Sequence, residues 1–457
     1  MDIIICGAGR VGYGIARRLS AENNSVTVVD LSAELVQNIS TELDVRGIVG
    51  HGAHPSILKK AGAETADMII AVTYSDEVNM VACQICHSLF GTPMKIARVR
   101  AQDYLEDRWR DLYTRQNMPI DIIISPEIEI GKAILRRLNT PGAFDVVPFA
   151  NGLVQLIGIE VDDDCPITNM PIQQIGELFP NLKASLVGVF REKQFFAPDP
   201  DDQLAVGDNA YFVVESAHAG RLLDIIGTNE EKARHVVIFG GGNVGSYVAR
   251  ELEKVSGVRV RIIESDKARA EKAAEQLKHT VVLCGDALSA AVQEEAGVRD
   301  AQGVLCLTND DKTNIIAGIM AQSNGAGQVF SLINDVSLLD IKSSLDIDMI
   351  IDPRATTVSS ILRHVRKGRI LDVFALESGS AEVMEGEVLD TSPLSGKSLG
   401  EATIPDGIVI GAVIREGEVL QPSPDLIVYT RDRIVLLADI AALKHVEYLF
   451  RVSADYF

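Results

Sequence analysis

Residues 1–30, MDIIICGAGRVGYGIARRLSAENNSVTVVD, decide the fold. An apolar run, Ile3 to Cys6, is followed at once by Gly7-x-Gly9-x-x-Gly12, then by a helical pattern through Ala16 and Leu19, and then by a second apolar run, Val26 to Val29, ending on Asp30. Strand, glycine turn, helix, strand and acid in this order is the pattern of a dinucleotide-binding unit. The first glycine permits the tight turn, the second lets backbone approach a pyrophosphate, and the third lets helix and strand pack closely. The helix start then aims N–H groups at the anion. Asp30 lies 18 residues after Gly12, where a carboxylate reaches the two hydroxyls of an adenosine ribose. An acid there favours NAD over NADP, because it repels a 2′-phosphate.

Working outward, a helix is expected through Leu43, and further strands at Met68 to Thr73, Ile96 to Val99 and Ile122 to Ile124. Alternating strand and helix builds a doubly wound parallel sheet. The unit then recurs. DIIICGAGRVGYGIARRL is answered by HVVIFGGGNVGSYVAREL with Gly7 on Gly240, and Asp30 and Asn79 are answered by Glu264 and Asn314. The segments between also repeat, with Asp145, Glu160 and Pro166 matching Asp372, Glu387 and Pro393. Such internal repetition fixes the organisation before any single element does. The expected order is a Rossmann-like domain over 1–140, a small α+β module over 141–228, a second Rossmann-like domain over 233–365 and a second module over 370–455. In the modules, Leu153 to Val161, Leu186 to Phe190 and Ala210 to Val214 read as short strands between Pro, Gly and Asp turns. Segment 126–140 reads as a helix leaving the first nucleotide fold, with 359–368 as its counterpart.

Composition narrows the function. The 457 residues carry 43 Lys and Arg against 64 Asp and Glu, a net charge of −21, which disfavours duplex nucleic acid as a partner. No apolar run reaches the roughly 18 to 20 residues of a membrane span, and the start lacks a signal-peptide pattern, so a cytosolic location without lipid insertion is expected. The six cysteines are too sparse for a disulfide scaffold and read as mostly buried thiols. Cys83-Gln-Ile-Cys86-His87 spells a haem-attachment pattern but falls on a helix, and His51 and His54 have no second cysteine pair, so neither haem nor metal is expected.

The candidate ligand residues follow from the doubly wound geometry. In the first unit they are the glycine loop Gly7, Ala8, Gly9, Arg10, Val11 and Gly12, with Asp30, then Thr73, Tyr74, Asp76 and Asn79 after the next strand. Asp76 also reads as a helix cap. Arg98 and Arg100 stand two apart on a strand, share a face, and would neutralise a diphosphate or triphosphate. In the second unit the set is Gly240, Gly241, Gly242, Asn243, Val244, Gly245, Glu264, Asp286, Thr308 and Asn314. Leu332 and Asn334 replace the two arginines, so the second pocket is expected to bind more weakly or to prefer another ligand. No nucleophile or general-base constellation accompanies either unit, and no catalytic residue is assigned.

The duplicated architecture, GAGRVG with Asp30, the stretch GHGAHPSILKKAGAETADMIIAVTYSDEVNMVACQ (50–84), KIARVR (95–100) and GGGNVG together resemble the TrkA family, the RCK or KTN regulatory subunits of bacterial Trk potassium uptake systems. The resemblance spans essentially the whole chain. It implies Rossmann (TrkA-N) units each followed by a TrkA-C subdomain, and a regulator rather than an enzyme. It further implies binding of NAD(H), with ATP and ADP as further ligands, through Gly7 to Val11, Asp30, Thr73, Tyr74 and Arg98, and through Gly240 to Val244, Glu264 and Thr308. The implied partner is a membrane potassium-translocating subunit of the TrkH/TrkG type, reached from the cytoplasmic face by a homo-oligomer of four chains. Two other readings stay open: an NAD-dependent dehydrogenase with two fused Rossmann domains, and a regulator of another cation transporter.

Overall fold

Ile3, Ile4 and Ile5 are each no more than 1% exposed, and strand β1 (Asp2–Cys6) forms because burying such side chains is worth about 1.5–3 kcal/mol each. In the computed structural model, all residues are described except 22–23, 180, 193, 228–232, 340–346, 366–369, 377–379 and 451–457, together with the side chains of 107, 176, 177, 336, 339 and 447. After β1 come α1 (Arg10–Ala21), β2 (Ser25–Asp30), α2 (Ala33–Glu42), β3 (Arg46–Val49), α3 (Pro55–Lys60), β4 (Met68–Ala71), α4 (Asp76–Ile85), β5 (Met94–Arg98), β6 (Ile122–Ile124) and α5 (Pro126–Leu138). Among the described residues these strands make a six-stranded parallel sheet in the order β3-β2-β1-β4-β5-β6. The order reverses between β1 and β4, which is where a doubly wound sheet opens its ligand crevice.

The first module follows with β7 (Ala143–Phe149), β8 (Val154–Glu160), α6 (Ile172–Leu178), β9 (Ala184–Arg191), β10 (Gln194–Phe196), β11 (Asn209–Glu215) and α7 (Ala219–Ile226). Its strands pair antiparallel in the order β10-β9-β11-β8-β7. The second Rossmann unit holds β12 (His235–Phe239), α8 (Asn243–Leu252), β13 (Arg259–Glu264), α9 (Lys267–Gln276), β14 (Val281–Cys284), α10 (Ala290–Glu295), β15 (Gly303–Cys306), α11 (Asp311–Ser323), β16 (Gln328–Leu332), α12 (Val336–Leu339), β17 (Met349–Ile351) and α13 (Pro353–Leu362). Its parallel sheet, β14-β13-β12-β15-β16-β17, repeats the first strand for strand. The second module, β18 (Ile370–Ala375), β19 (Ala381–Glu387), β20 (Ile408–Arg415), β21 (Glu418–Leu420), β22 (Arg433–Asp439) and α14 (Leu443–Phe450), is again antiparallel.

The chain packs as two units, Met1–Lys132 with Arg234–His364, and Ala133–Ala233 with Val365–Phe457. Within the first, α1 lies against α13 and the pairing is closed by an ion pair between Glu129 and Arg363 at 3.3 Å. Within the second, the two antiparallel sheets share one apolar core that includes Phe149, Leu156 and Val213 from one module and Val383, Ile414 and Leu437 from the other. Each module also repeats one bidentate pair. Arg191 Nε and Nη2 donate to Asp208 at 2.7 Å each, and Arg415 does the same to Asp432 at 2.9 and 2.7 Å.

Several expected boundaries move. The strand expected to reach Thr73 ends at Ala71, because the Thr73 amide is taken by the Asn79 side chain. The helix placed over 359–368 is α13, which starts at Pro353 with Asp352 accepting from Arg354 and Ala355 N–H, and ends at Leu362. Its expected end, 366–368, lies outside the described residues, as do position 228 and the stretch 451–455 of the expected module limits. Five of the six thiols, at Cys6, Cys83, Cys86, Cys165 and Cys306, are buried, and Cys284 is exposed.

Candidate nucleotide-binding crevices

At the end of β1 the backbone turns through Gly7 at φ +114°, a left-handed conformation in which a Cβ would stand 2.9 Å from the Val72 carbonyl oxygen. Gly12 faces back on this turn, so that a Cβ there would fall on the Gly7 carbonyl oxygen. Gly7 is therefore required by its left-handed turn against the chain leaving β4, and Gly12 by the approach of α1 to that turn. Asp30 ends β2 beside the turn. Its Oδ2 accepts the Ala8 N–H at 2.7 Å and its Oδ1 accepts the Ser32 N–H at 2.8 Å, which fixes the carboxylate at the lip of the crevice.

On the other side of the switch point, Thr73 follows β4 and Arg98 ends β5. Arg98 Nη2 donates to the Thr73 carbonyl at 2.8 Å, and its buried Nε has no hydrogen-bond partner among the described residues. Burial lowers the pKa of this guanidinium, and the neighbouring Arg100 charge pushes it the same way. An anion beside Arg98 would relieve both effects. Tyr74 is 87% exposed at the crevice mouth.

These residues line one cavity of about 870 Å³. Gly7, Gly9, Arg10, Val11, Asp30, Thr73, Tyr74, Arg98 and Arg100 contribute from the first half, and Gly242, Asn243, Val244, Arg269, Asn309, Leu332, Asn334 and Arg354 from the second. The two glycine loops thus open on the same space. Arg10 crosses it, donating from Nη1 to the Asn334 carbonyl at 2.9 Å.

Several expected ligand residues have other work. Asp76 is buried and neither lines the cavity nor caps α4, whose cap is Ser75 accepting from the Val78 N–H. Its Oδ2 instead accepts the Arg100 and Ala101 N–H groups at 2.9 and 2.8 Å, holding the chain beyond β5. Asn79 is fully buried, with Oδ1 accepting from Thr73 N–H and Oγ1 and Nδ2 donating to the carbonyls of Thr73 and Arg98. It positions Thr73 and does not face the cavity. Arg100 does not share a strand face with Arg98, because β5 ends at Arg98, and Arg100 Nε pairs with Glu127 at 3.0 Å.

The second half repeats the frame with a different crevice. Gly240 has φ +106°, a Cβ at Gly245 would fall on the Gly240 carbonyl oxygen, and Asn314 grips Thr308 as Asn79 grips Thr73. Glu264 is 4% exposed. Its Oε2 accepts the Gly241 N–H at 2.8 Å, while Oε1 accepts the Asp266 N–H at 2.9 Å and Arg269 Nη2 at 2.8 Å. Burial alone would raise the Glu264 pKa, yet the Asp266 amide, Arg269 and the Gly241 amide bring it below the usual carboxylate range. Where Asp30 presents a lip, Glu264 is already satisfied by the chain's own guanidinium. Gly240, Gly241, Gly245, Thr308 and Asn314 support this loop without lining the cavity, and Asp286 is exposed with Oδ1 accepting the Leu288 N–H. Sequence reasoning missed Arg269 and Arg354; the signal for Arg269 was its place in the first turn of the helix after Glu264.

Twin doubly wound sheets with glycine loops and strand-end acids, each followed by an antiparallel α+β module, define a tandemly duplicated protein of Rossmann-like units. The TrkA-N domain family matches residues 3–126 and 236–353, and the TrkA-C domain family matches 156–227 and 383–451. Relatives described as Trk system potassium uptake protein TrkA are 47% identical in Azorhizobium caulinodans and 37% identical in Halomonas elongata, each covering 100% of both chains. A third, from Vibrio alginolyticus, is 34% identical over 99% of both. The crystal structure of the GsuK RCK domain is similar in fold, with a TM-score of 0.60 at 19% identity over 98% of this chain and 94% of its own. A structure titled GsuK channel bound to NAD gives 0.60 at 18% identity over 98% and 78%. The chain belongs to the TrkA family of Trk potassium uptake proteins, and its role is regulatory and not enzymatic.

Proposed function

We propose that the chain is a nucleotide-sensing subunit that binds NAD(H), and ATP or ADP, in its first crevice and thereby gates a membrane potassium-translocating subunit of the TrkH/TrkG type. The observation that carries this reading is the pairing of Asp30 with Arg98 on opposite sides of the glycine loop in one cavity. The carboxylate suits ribose hydroxyls, and the loop and the unpartnered Arg98 Nε suit phosphates. NAD binding in the similarly folded GsuK channel agrees with it. The second crevice, with Glu264 held by Arg269 and with Leu332 and Asn334 in place of the arginines, takes such ligands more weakly or takes another ligand.

A ligand shifts a gating equilibrium only by its differential affinity for the two states, so NADH and NAD, or ATP and ADP, must contact the crevice differently in each. Two Rossmann units per chain, at 1–140 and 233–365, each with its module at 141–228 and 370–455, make four chains an eight-unit ring. No helix among the described residues is long and apolar enough to cross a membrane. The net charge of −21 opposes direct contact with anionic lipid and suits the Lys- and Arg-rich cytoplasmic loops of a membrane partner. The subunit then sits at the cytoplasmic face through that partner.

Calorimetric titration with NADH, NAD, ATP and ADP tests the reading. Binding without turnover, weakened by Asp30→Ala and Arg98→Ala, is the expected result; no binding by the native chain would overturn it.

A further inference from the structure

The duplication places Tyr247 on α8 where Gly14 stands on α1, and Val358 on α13 where Gly131 stands on α5. These four residues meet across the pairing of the two Rossmann halves. Gly14 lies under Val358, so that a Cβ on Gly14 would stand 2.9 Å from Val358 Cγ2. Gly131 lies under the ring of Tyr247, and a Cβ there would meet Cδ1 and stand 2.7 Å from Cε1. Each contact therefore sets one small residue against one bulky residue, but the small one comes from the amino-terminal helix in the first contact and from the exit helix in the second.

The consequence appears when like is set against like. Two first halves paired in the same way would oppose Gly14 to Gly131 at both contacts and leave two voids, each with its lost packing. Two second halves would oppose Tyr247 to Val358 at both contacts and overlap. Only a first half with a second half fills both sites.

We propose that this exchange of small and bulky residues is a specificity device: it makes the interaction surface of the first Rossmann half fit a second half and reject another copy of itself. Specificity of this kind rests on what the wrong partner loses as much as on what the right one gains.

The test uses the full-length chain. Gly131→Val should lower the thermal midpoint by several degrees, and adding Tyr247→Ala should restore most of the loss. The double variant Gly131→Tyr with Tyr247→Gly keeps both contacts filled within the chain yet makes each half complementary to itself. Native mass spectrometry over a concentration series should then give one stoichiometry for the native protein and a spread of larger, concentration-dependent assemblies for the variant. Tyr247→Gly alone, which only removes atoms, frees two second halves to pair and should broaden the distribution in the same sense if the double variant does not fold. A folded variant with the native stoichiometry throughout, or a Gly131→Val defect that Tyr247→Ala does not relieve, would overturn the proposal.

Discussion

Asn79 holds Thr73 at three points, accepting from its N–H at 2.8 Å and its hydroxyl at 2.7 Å and donating to its carbonyl at 3.1 Å. A fourth bond ties the same side chain to the Arg98 carbonyl at 2.9 Å, so the ends of β4 and β5 are set by one buried amide. Asn79→Ala leaves these groups without partners and should lower unfolding stability by about 3 kcal/mol, read from urea denaturation. Nucleotide affinity should fall with it, since the Thr73 loop is then free to move.

Arg98 and Arg100 should separate in binding experiments. Arg98 carries the unpartnered nitrogen, whereas Arg100 is paired with Glu127. Arg98→Ala is expected to weaken ADP binding by about tenfold to a hundredfold, as for loss of a charged hydrogen bond, and to flatten its salt dependence. Arg100→Ala should weaken it by less than about tenfold in the same titration.

The first sheet, its glycine loop and the repeat were legible because periodicity and glycine spacing are local properties. The departures at Asp76 and Asn79 share a cause. Sequence places a residue beside a crevice but does not say whether its side chain turns to the cavity or to a neighbouring backbone amide, and here the amides of Thr73, Arg100 and Ala101 took the polar groups. Arg269 and Arg354 escaped notice because the cavity they line is shared between segments more than two hundred residues apart.

Acid should destabilise the chain through carboxylates held below their ordinary pKa. Glu264 is one, stabilised as the anion by amides and Arg269 against the effect of burial, and Asp208 is another, with Arg191 outweighing burial. A depressed folded pKa means that the unfolded chain binds the proton first. The stabilisation is therefore complete above the unfolded value, about 4, and is lost as pH falls through the folded value. Urea midpoints should drop steeply below about pH 4, and Glu264→Gln should make the drop shallower while lowering stability at pH 7.

Thiol chemistry should find one site in the native chain. Cys284 is exposed, while burial pushes the Cys83 thiol well above its ordinary pKa, Cys86 to about 11 and Cys306 to about 12. A thiolate-specific reagent should label Cys284 alone under native conditions and all six cysteines in denaturant, by intact mass.

The shared cavity also has a timetable. Its first wall is finished when residue 132 has been made, and its second only after residue 364. At roughly 5–20 residues per second the ribosome leaves the first half waiting about 12–46 seconds for its mate. Successive ribosomes on one message hold such waiting halves side by side, at the moment when the right partner does not yet exist. Glycine opposite glycine gives two nascent neighbours little to hold on to, and the surface stays vacant until its own chain delivers the tyrosine and the valine that fill it.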